Sequence, residues 1–370
     1  MALFGNKKLT QDQVLDALRA VQEPALGRDL VTLQMVKDLA VDDGRVWLTI
    51  NLRSPAAREA LEPAVRAALD KLDGLKELTI KWAAPAATHQ HGPSPARSSL
   101  PGIKNIVAVA SGKGGVGKTT VAVNLAVALS KTGARVGVLD GDIYGPNVPI
   151  MLGLNAQQLT TDGKQIVPAE KYGVQVVSMG FLTQEDAAVI WRGPMLHGAI
   201  QQFFREVAWR DLDYLIVDMP PGTGDVALSL SQTVPVAGAI LVTTPQQVSL
   251  ADTRRAVRMY QKLNIQPIGL VENMSYYACT NCHHEADIFG HGGGEALASS
   301  MEIPFLGRLP VYQPLREGSD SGVPLIISEP GSPAGRAFLT VAERTAAQLS
   351  IAAHKVAEAN KGKIPLIPVR

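Results

Sequence analysis

A doubly wound, mostly parallel α/β domain preceded by a small α+β unit is the fold class that this 370-residue sequence predicts. Three observations predict it. Short apolar runs recur at 106–110, 135–139, 174–178, 214–217, 239–242 and 268–271. Runs without polar alternation suit strands buried on both faces. Segments of helix length separate them, which favours parallel βαβ crossovers over hairpins. Residues 1–82 follow another pattern, with amphipathic helices and alternating strands. A ligand of the larger domain is expected beyond the carboxyl ends of its strands.

The length leaves room for two or three domains. Hydrophobic residues make up 46% of the chain and aromatics 5%, so a sizeable core is expected from Val, Leu, Ile and Ala. Lys+Arg 35 against Asp+Glu 34 gives a net charge of +1, so neither nucleic acid nor an anionic membrane is expected as a partner. The start, MALFGNKKLT, lacks the apolar core of a signal peptide, and no run reaches the ~18 apolar residues of a membrane span. A soluble, cytoplasmic protein is expected. The cysteines are Cys279 and Cys282, which excludes a disulfide framework.

In the first unit Thr10 is placed to cap a helix from Gln11 to about Val21. Val46, Leu48, Ile50 and Leu52 alternate as a half-buried strand. Pro55 opens a second helix with Leu61, Val65, Leu69 and Leu72 on one stripe, and Leu78 and Ile80 suggest a closing strand. Residues 83–101 contain four prolines without apolar periodicity and read as a linker, in which His89 and His91 read as solvated filler rather than metal ligands. The main domain is expected over 102–359. It closes with a helix at about 334–359 that packs Phe338, Ala342, Leu349, Ala353 and Val356 inward, followed by an apolar tail over 360–370.

The run at 106–110 leads into SGKGGVGKTT and a helix beginning near Val121. Gly112, Gly117, Lys118 and Thr119 fill the G-x4-G-K-[ST] template in its strand–loop–helix setting. With Gly114, Gly115, Val116 and Thr120 they form a loop whose backbone N–H groups turn towards one anion, aided by the helix start. ATP is the expected ligand. Lys118 should reach its β/γ-phosphates and the Thr119 hydroxyl should ligate Mg²⁺. The second lysine, Lys113, makes this loop resemble the deviant Walker A loops of the MinD/ParA/nitrogenase-iron-protein class. That resemblance implies a homodimer in which Lys113 reaches the partner's nucleotide.

Two acidic segments complete the scheme. LDGD ends the second strand and LIVDMPPGTGD a later one. A carboxylate at a strand end beside phosphates can hold Mg²⁺ or orient the attacking water. Asp218 is assigned to the magnesium. Asp142, in a segment that resembles switch I, is assigned to the water, and Asp140 to a structural role. Gly222 and Gly224 would let the following loop sense the γ-phosphate. Asn273 sits where the resembled class places an adenine contact.

Cys279-Thr-Asn-Cys282 forms a CxxC knuckle flanked by tyrosines and by His283 and His284. Its residues alone leave several readings open: zinc held with one or both histidines, a redox pair, inert thiols, or half of an iron–sulfur site. One chain supplies two thiolates where a cluster usually needs four, and a symmetric dimer would supply the rest.

Taken together, SGKGGVGKTT, LDGDIYGPNVP, WRGPM, DMPPGTGD, CTNC, IFGHGGGEALA and REGSDSGVP resemble the Mrp/ApbC family of P-loop iron–sulfur cluster carriers over about residues 103–325. EPALGRDLVTLQMVKDL resembles the MIP18-type domain often fused ahead of it. This chain carries Gln22-Glu-Pro and Ser54-Pro55 where such domains often carry Asp-Pro-Glu and Cys-Pro. The resemblance implies a P-loop NTPase with slow ATP hydrolysis and a [4Fe-4S] cluster bridging a homodimer through Cys279 and Cys282. It further implies recipient apoproteins and a cluster-assembly scaffold as partners. The rival readings are a MinD/ParA-type positioning switch, against which the knuckle and the near-zero charge argue, and an ATP-dependent electron donor resembling the nitrogenase iron protein. WRGPM carries no physical assignment.

Overall fold

The computed structural model describes residues 9–23, 28–33, 35–52, 57–83, 100, 102–142, 145–182, 193–222, 225–282 and 284–360. Its two compact units are Met1–Thr88 and His89–Arg370. Of the expected linker over 83–101, Ala83 belongs to a strand and Leu100 is described; the rest with its histidines, Ser54-Pro55, Gly224, His283, the start of WRGPM and the tail beyond 360 lie outside the described residues.

In the first unit a capping box starts helix α1 (Gln11–Arg19): the Thr10 hydroxyl accepts from the Gln13 N–H, and the Gln13 carboxamide oxygen accepts from the Thr10 N–H. After a two-residue pairing of 22–23 with 28–29 comes a three-stranded sheet, β1 (Val36–Asp42), β2 (Arg45–Asn51) and β3 (Glu77–Ala83). β1 pairs antiparallel with β2, and β2 pairs parallel with β3 across the intervening helix α2 (Ala57–Leu69). Val14, Leu18, Met35, Ile50, Leu61, Val65 and Leu69 form the core. β1 escapes the sequence reading because its core-packed residues Val36, Leu39 and Val41 are only half-buried and a register shift between Lys37 and Ala40 breaks the period of two. The first helix ends at Arg19, two residues before the expected position.

The second unit is built on an eight-stranded sheet. Its strands are β4 (Ile103–Ser111), β5 (Val136–Asp140), β6 (Ala169–Lys171), β7 (Val174–Ser178), β8 (Leu212–Asp218), β9 (Val236–Thr243), β10 (Pro267–Glu272) and β11 (Phe305–Arg308). Their order is β6-β7-β5-β8-β4-β9-β10-β11, all parallel except the β6–β7 hairpin at one edge. β4 shows why uninterrupted apolar runs arise. Ile106, Ala108 and Ala110 join the core on one face, while Val107 and Val109 join the core on the other. Helices cover both faces: α3 (Lys118–Lys131) and the C-terminal helix (Pro333–Asn360) share one layer, and the helix Gln247–Lys262 helps build the other. Phe338, Ala342 and Leu349 of the last helix are buried. The edge strands β6 and β11 are not among the apolar runs, being short and half-buried.

Because β5, β8, β4, β9 and β10 run parallel, Asp140, Asp218, Ser111, Thr243 and Glu272 finish at the same end of the sheet. β8 lies between β4 and β5, whereas β9 and β10 follow on β4's other side, so the order reverses at β4. A crevice beyond the strand ends at such a reversal is where open α/β sheets bind ligands. Among the described residues no helix is long and apolar enough to cross a membrane.

Candidate functional site

The loop between β4 and α3 is shaped by glycines at two points. Gly117 (φ +78°) turns the backbone into the first helical residue, and α3 begins at Lys118, three residues before the helix start expected from sequence. Lys118 and Thr119 therefore stand in the first helical turn, where free N–H groups face an anion. Gly112 packs directly on the helix backbone at Asp252, leaving no space for a Cβ. The Ser111 hydroxyl donates to the Lys113 carbonyl (2.9 Å), which fixes the turn between them. The Lys113 side chain is half-buried and has no ion pair among the described residues. Gly114 and Gly115 are exposed at the tip.

The structure brings Lys118, Thr119, Asp142 and Asp218 together. The Lys118 Nζ donates to Asp218 Oδ1 at 2.6 Å and lies 3.6 Å from Asp142 Oδ2. The Thr119 hydroxyl donates to Asp218 Oδ2 at 2.7 Å. Lys118 is 6% exposed and Asp218 fully buried. Burial raises the Asp218 carboxyl, although the Lys118 charge and the hydrogen bonds from Lys118 and Thr119 oppose it.

Asp140 pairs with Asp218 in register across β5 and β8. It is a hub. Its Oδ1 accepts from the Asp142 N–H (3.1 Å), and its Oδ2 accepts from the Val148 N–H (3.3 Å) and the Ser178 hydroxyl (2.9 Å). One carboxylate thus holds both ends of the 141–148 segment and ties it to β7. Burial, then the Asp218 charge, pushes Asp140 up to about 8. The structural role expected for Asp140 is sharper than the sequence indicates, because Ser178 and Val148 approach only in the folded chain.

Asn273 lies immediately beyond β10. Its carboxamide nitrogen donates to the Val116 carbonyl at 2.8 Å and packs on Gly117, while its backbone N–H donates to Thr243 (2.8 Å). It therefore braces the phosphate loop from the neighbouring strand. On the far side of the loop, the Gly222 N–H donates to the Ser111 carbonyl (3.0 Å).

The cysteines sit on a hairpin. Residues 277–278 pair antiparallel with 285–286, and the Cys279 N–H donates to the His284 carbonyl (3.0 Å), which closes the tip. Cys279 is half-buried and Cys282 exposed. The N–H groups of Cys282 and Asn281 point at the Cys279 sulfur and lower its thiol to about 7. A hairpin tip is not the helix start on which a CxxC redox pair stands. Among the described residues no group of three or more His, Cys, Asp and Glu could hold a metal. Two features here escaped the sequence reading: the buried Glu272, hydrogen-bonded to Ser275, and the Ser249–Thr243–Thr253 hydroxyl chain behind the loop.

Known proteins are similar to this chain. A protein of Synechocystis sp. named "Iron-sulfur cluster carrier protein" is 48% identical over 352 residues, covering 93% of this chain and 99% of its own length. One of the same name from Escherichia coli is 43% identical over 339 residues, 91% of each chain. A solved nucleotide-binding protein of Archaeoglobus fulgidus, in complex with ADP, superimposes with a TM-score of 0.56 at 36% identity over 64% of this chain and 92% of its own. The small first unit matches, over residues 11–82, the family described as "Iron-sulfur cluster assembly protein". Residues 102–346, which contain the phosphate loop, both acidic strand ends and the cysteine hairpin, match the family described as "NUBPL iron-transfer P-loop NTPase", and the chain belongs to that family.

Proposed function

We propose that the protein binds and slowly hydrolyses ATP and carries an iron–sulfur cluster, held between two copies of the chain, to recipient apoproteins. One observation carries this reading. The Lys118–Thr119–Asp218 group and a hairpin offering two thiols without a third ligand from the described residues stand at the same end of one sheet. The names of the curated relatives agree with it.

The phosphates of ATP lie against the backbone N–H groups of residues 112–118 and the start of α3. Lys118, parked on Asp218 at 2.6 Å, exchanges that carboxylate for phosphate oxygens. Thr119 and Asp218 present buried oxygens 2.7 Å apart, a donor set that suits a hard divalent ion. Thr119 and Asp218 would hold Mg²⁺ there, which would supply neutralisation of phosphate charge. Asp142, 3.6 Å from the Lys118 ammonium, faces the same space and orients the attacking water. Lys113, without an ion pair among the described residues, reaches the partner's nucleotide. The Asn273 nitrogen is committed to Val116, so its oxygen is the atom left for the adenine amino group.

The cluster is the cargo. Two copies of Cys279 and Cys282 supply four thiolates, the usual number for a [4Fe-4S] cluster. Transfer is ligand exchange with the recipient's own thiolates, so the hairpin needs no catalytic acid. An assembly scaffold loads the cluster, and the protein works in the cytoplasm.

Iron and acid-labile sulfide per chain test the reading, after anaerobic reconstitution of wild type and Cys279→Ser/Cys282→Ser. The expected result is about one four-iron cluster per two chains, lost in the double variant. Zinc without sulfide would make the knuckle structural. No cysteine-dependent metal at all would favour a positioning switch, and ATP-dependent reduction of an acceptor without transfer would favour an electron donor.

A further inference from the structure

The four residues Glu272-Asn-Met-Ser275 touch both the phosphate loop and the base of the cysteine hairpin. On one side the Asn273 carboxamide holds the Val116 carbonyl and packs on Gly117. On the other, the fully buried Glu272 carboxylate accepts the Ser275 hydroxyl at 2.6 Å and the Gly294 N–H. Ser275 lies two residues before the hairpin's first strand, and Gly294 is in the first turn of the helix Gly293–Ser300 that follows the hairpin. A Cβ at Gly294 would stand 2.8 Å from Glu272 Oε2, so only glycine allows this approach. One carboxylate therefore pins the segment that leads into the hairpin and the helix that leads away from it.

The connection is stiff. The Leu309 N–H donates to the Glu272 carbonyl (2.8 Å) and the Ser275 N–H to the Leu309 carbonyl (2.9 Å). The Val311 N–H donates to Tyr276 (2.7 Å) and the Ala278 N–H to Val311 (3.0 Å). Beyond the turn at Asn273–Met274, hydrogen bonds to residues 309–311 thus resume and run up to Ala278, the residue before Cys279. A small displacement of Val116–Gly117 has a hydrogen-bonded route through Asn273 and Glu272 to the base of the hairpin, and packed elements pass on such shifts instead of absorbing them.

From this geometry we infer that Glu272 is a positioning residue that couples the phosphate loop to the cysteine hairpin, so that nucleotide at the loop changes the accessibility of Cys279 and Cys282. The inference rests on the carrier reading and names its regulation. Glu272 touches neither nucleotide nor cluster. It acts through Ser275, Gly294 and its chain neighbour Asn273.

The cluster-free full chain allows a clean test, because Cys279 and Cys282 are its only cysteines and every thiol signal comes from the hairpin. The rate of reaction with Ellman's reagent is measured without nucleotide and with saturating Mg·ATP, for wild type, Glu272→Gln and Ser275→Ala. Binding of a fluorescent ATP analogue is followed in parallel. In wild type the two rates should differ by at least about fivefold, the lower end of typical site–site coupling. Glu272→Gln should bind the analogue yet bring the ratio close to one. A merely structural change would alter both rates together and leave their ratio intact. The inference is overturned if wild type shows no nucleotide response, or if Glu272→Gln binds nucleotide and keeps the wild-type ratio. Should Glu272→Gln fail to fold, Ser275→Ala, which removes only the 2.6 Å donor, decides by the same criterion. Cluster loading and ATP hydrolysis are separate readouts. A chain that loads and hydrolyses but shows no thiol response keeps the carrier reading and loses this coupling.

Discussion

Lys118 donates to Asp218 at 2.6 Å across a separation of 100 residues in the chain, and both groups are buried. The ammonium is the cation that compensates a carboxylate with no access to water. Removing one partner of such a pair costs more than removing both, because the survivor is left charged in a low dielectric.

Lys118→Ala should therefore abolish ATP turnover and lower the unfolding free energy by about 3–5 kcal/mol. The Lys118→Ala/Asp218→Asn double variant should recover a large part of that loss while remaining inactive. Urea unfolding of the four corners of the cycle measures the coupling. Additive effects would show that the pair is not a unit, and normal turnover in Lys118→Ala would refute the phosphate-loop assignment.

Asp140 sets a pH dependence. Its folded-state value is raised to about 8, whereas an unfolded aspartate titrates near 3.8. Between those limits the folded chain holds a proton that the unfolded chain releases, so stability falls as pH rises. Thermal melts of the nucleotide-free protein should show a midpoint that drops from about pH 5 to pH 8. In Asp140→Asn the slope should be shallower. The same variant, with its amide nitrogen in place of Oδ2, loses the acceptor for the Val148 N–H and the Ser178 hydroxyl, which should cost about 1–3 kcal/mol and slow hydrolysis by freeing the Val148 end of the segment that carries Asp142. An unchanged pH slope would remove Asp140 as its source.

Glycines in the phosphate loop are not equivalent. A Cβ at Gly112 would run into the Asp252 carbonyl, whereas one at Gly114 meets nothing nearer than Pro221 at 4.0 Å. Gly112→Ala should cost about 1–3 kcal/mol of stability through overpacking. Gly114→Ala should stay within about 0.5 kcal/mol of wild type. Denaturant midpoints of the two variants check the contrast, and equal costs would contradict the packing described for Gly112.

Cys279 is held at about 7 by the N–H groups that face its sulfur, below the ordinary thiol value of 9.0. In the cluster-free Cys282→Ser variant the Cys279 alkylation rate should rise with pH and reach half its maximum near neutrality. The backbone donor of residue 282 survives that substitution. A midpoint at the ordinary thiol value would mean that the tip does not hold its donors on the sulfur in solution.

How much of this was legible in the chain depended on the range over which each feature is encoded. The central strands were readable because burial on both faces leaves unbroken apolar runs such as 106–110. The edge strands at 169–171 and 305–308 lack that signature, being half-exposed and held by one neighbour. The phosphate loop was readable because a few consecutive residues fix its backbone. Its helix was placed three residues too late because Lys118 and Thr119 carry no apolar periodicity. Glu272 and the hub at Asp140 were invisible as such: their partners, 22 and 38 residues away, meet them only through the sheet.

Hydrogen bonds of residues 272, 275, 276 and 278 with Leu309 and Val311 tie the base of the cysteine hairpin to the sheet's own framework. They have no reach. A carrier with its thiols on a tether can sweep a volume and find an acceptor at a distance. These thiols ride at a fixed height above β10, so a recipient must bring its own ligands to them. Delivery by this protein is then a matter of shape at the point of contact, and an acceptor whose cysteines are recessed would have to expose them first.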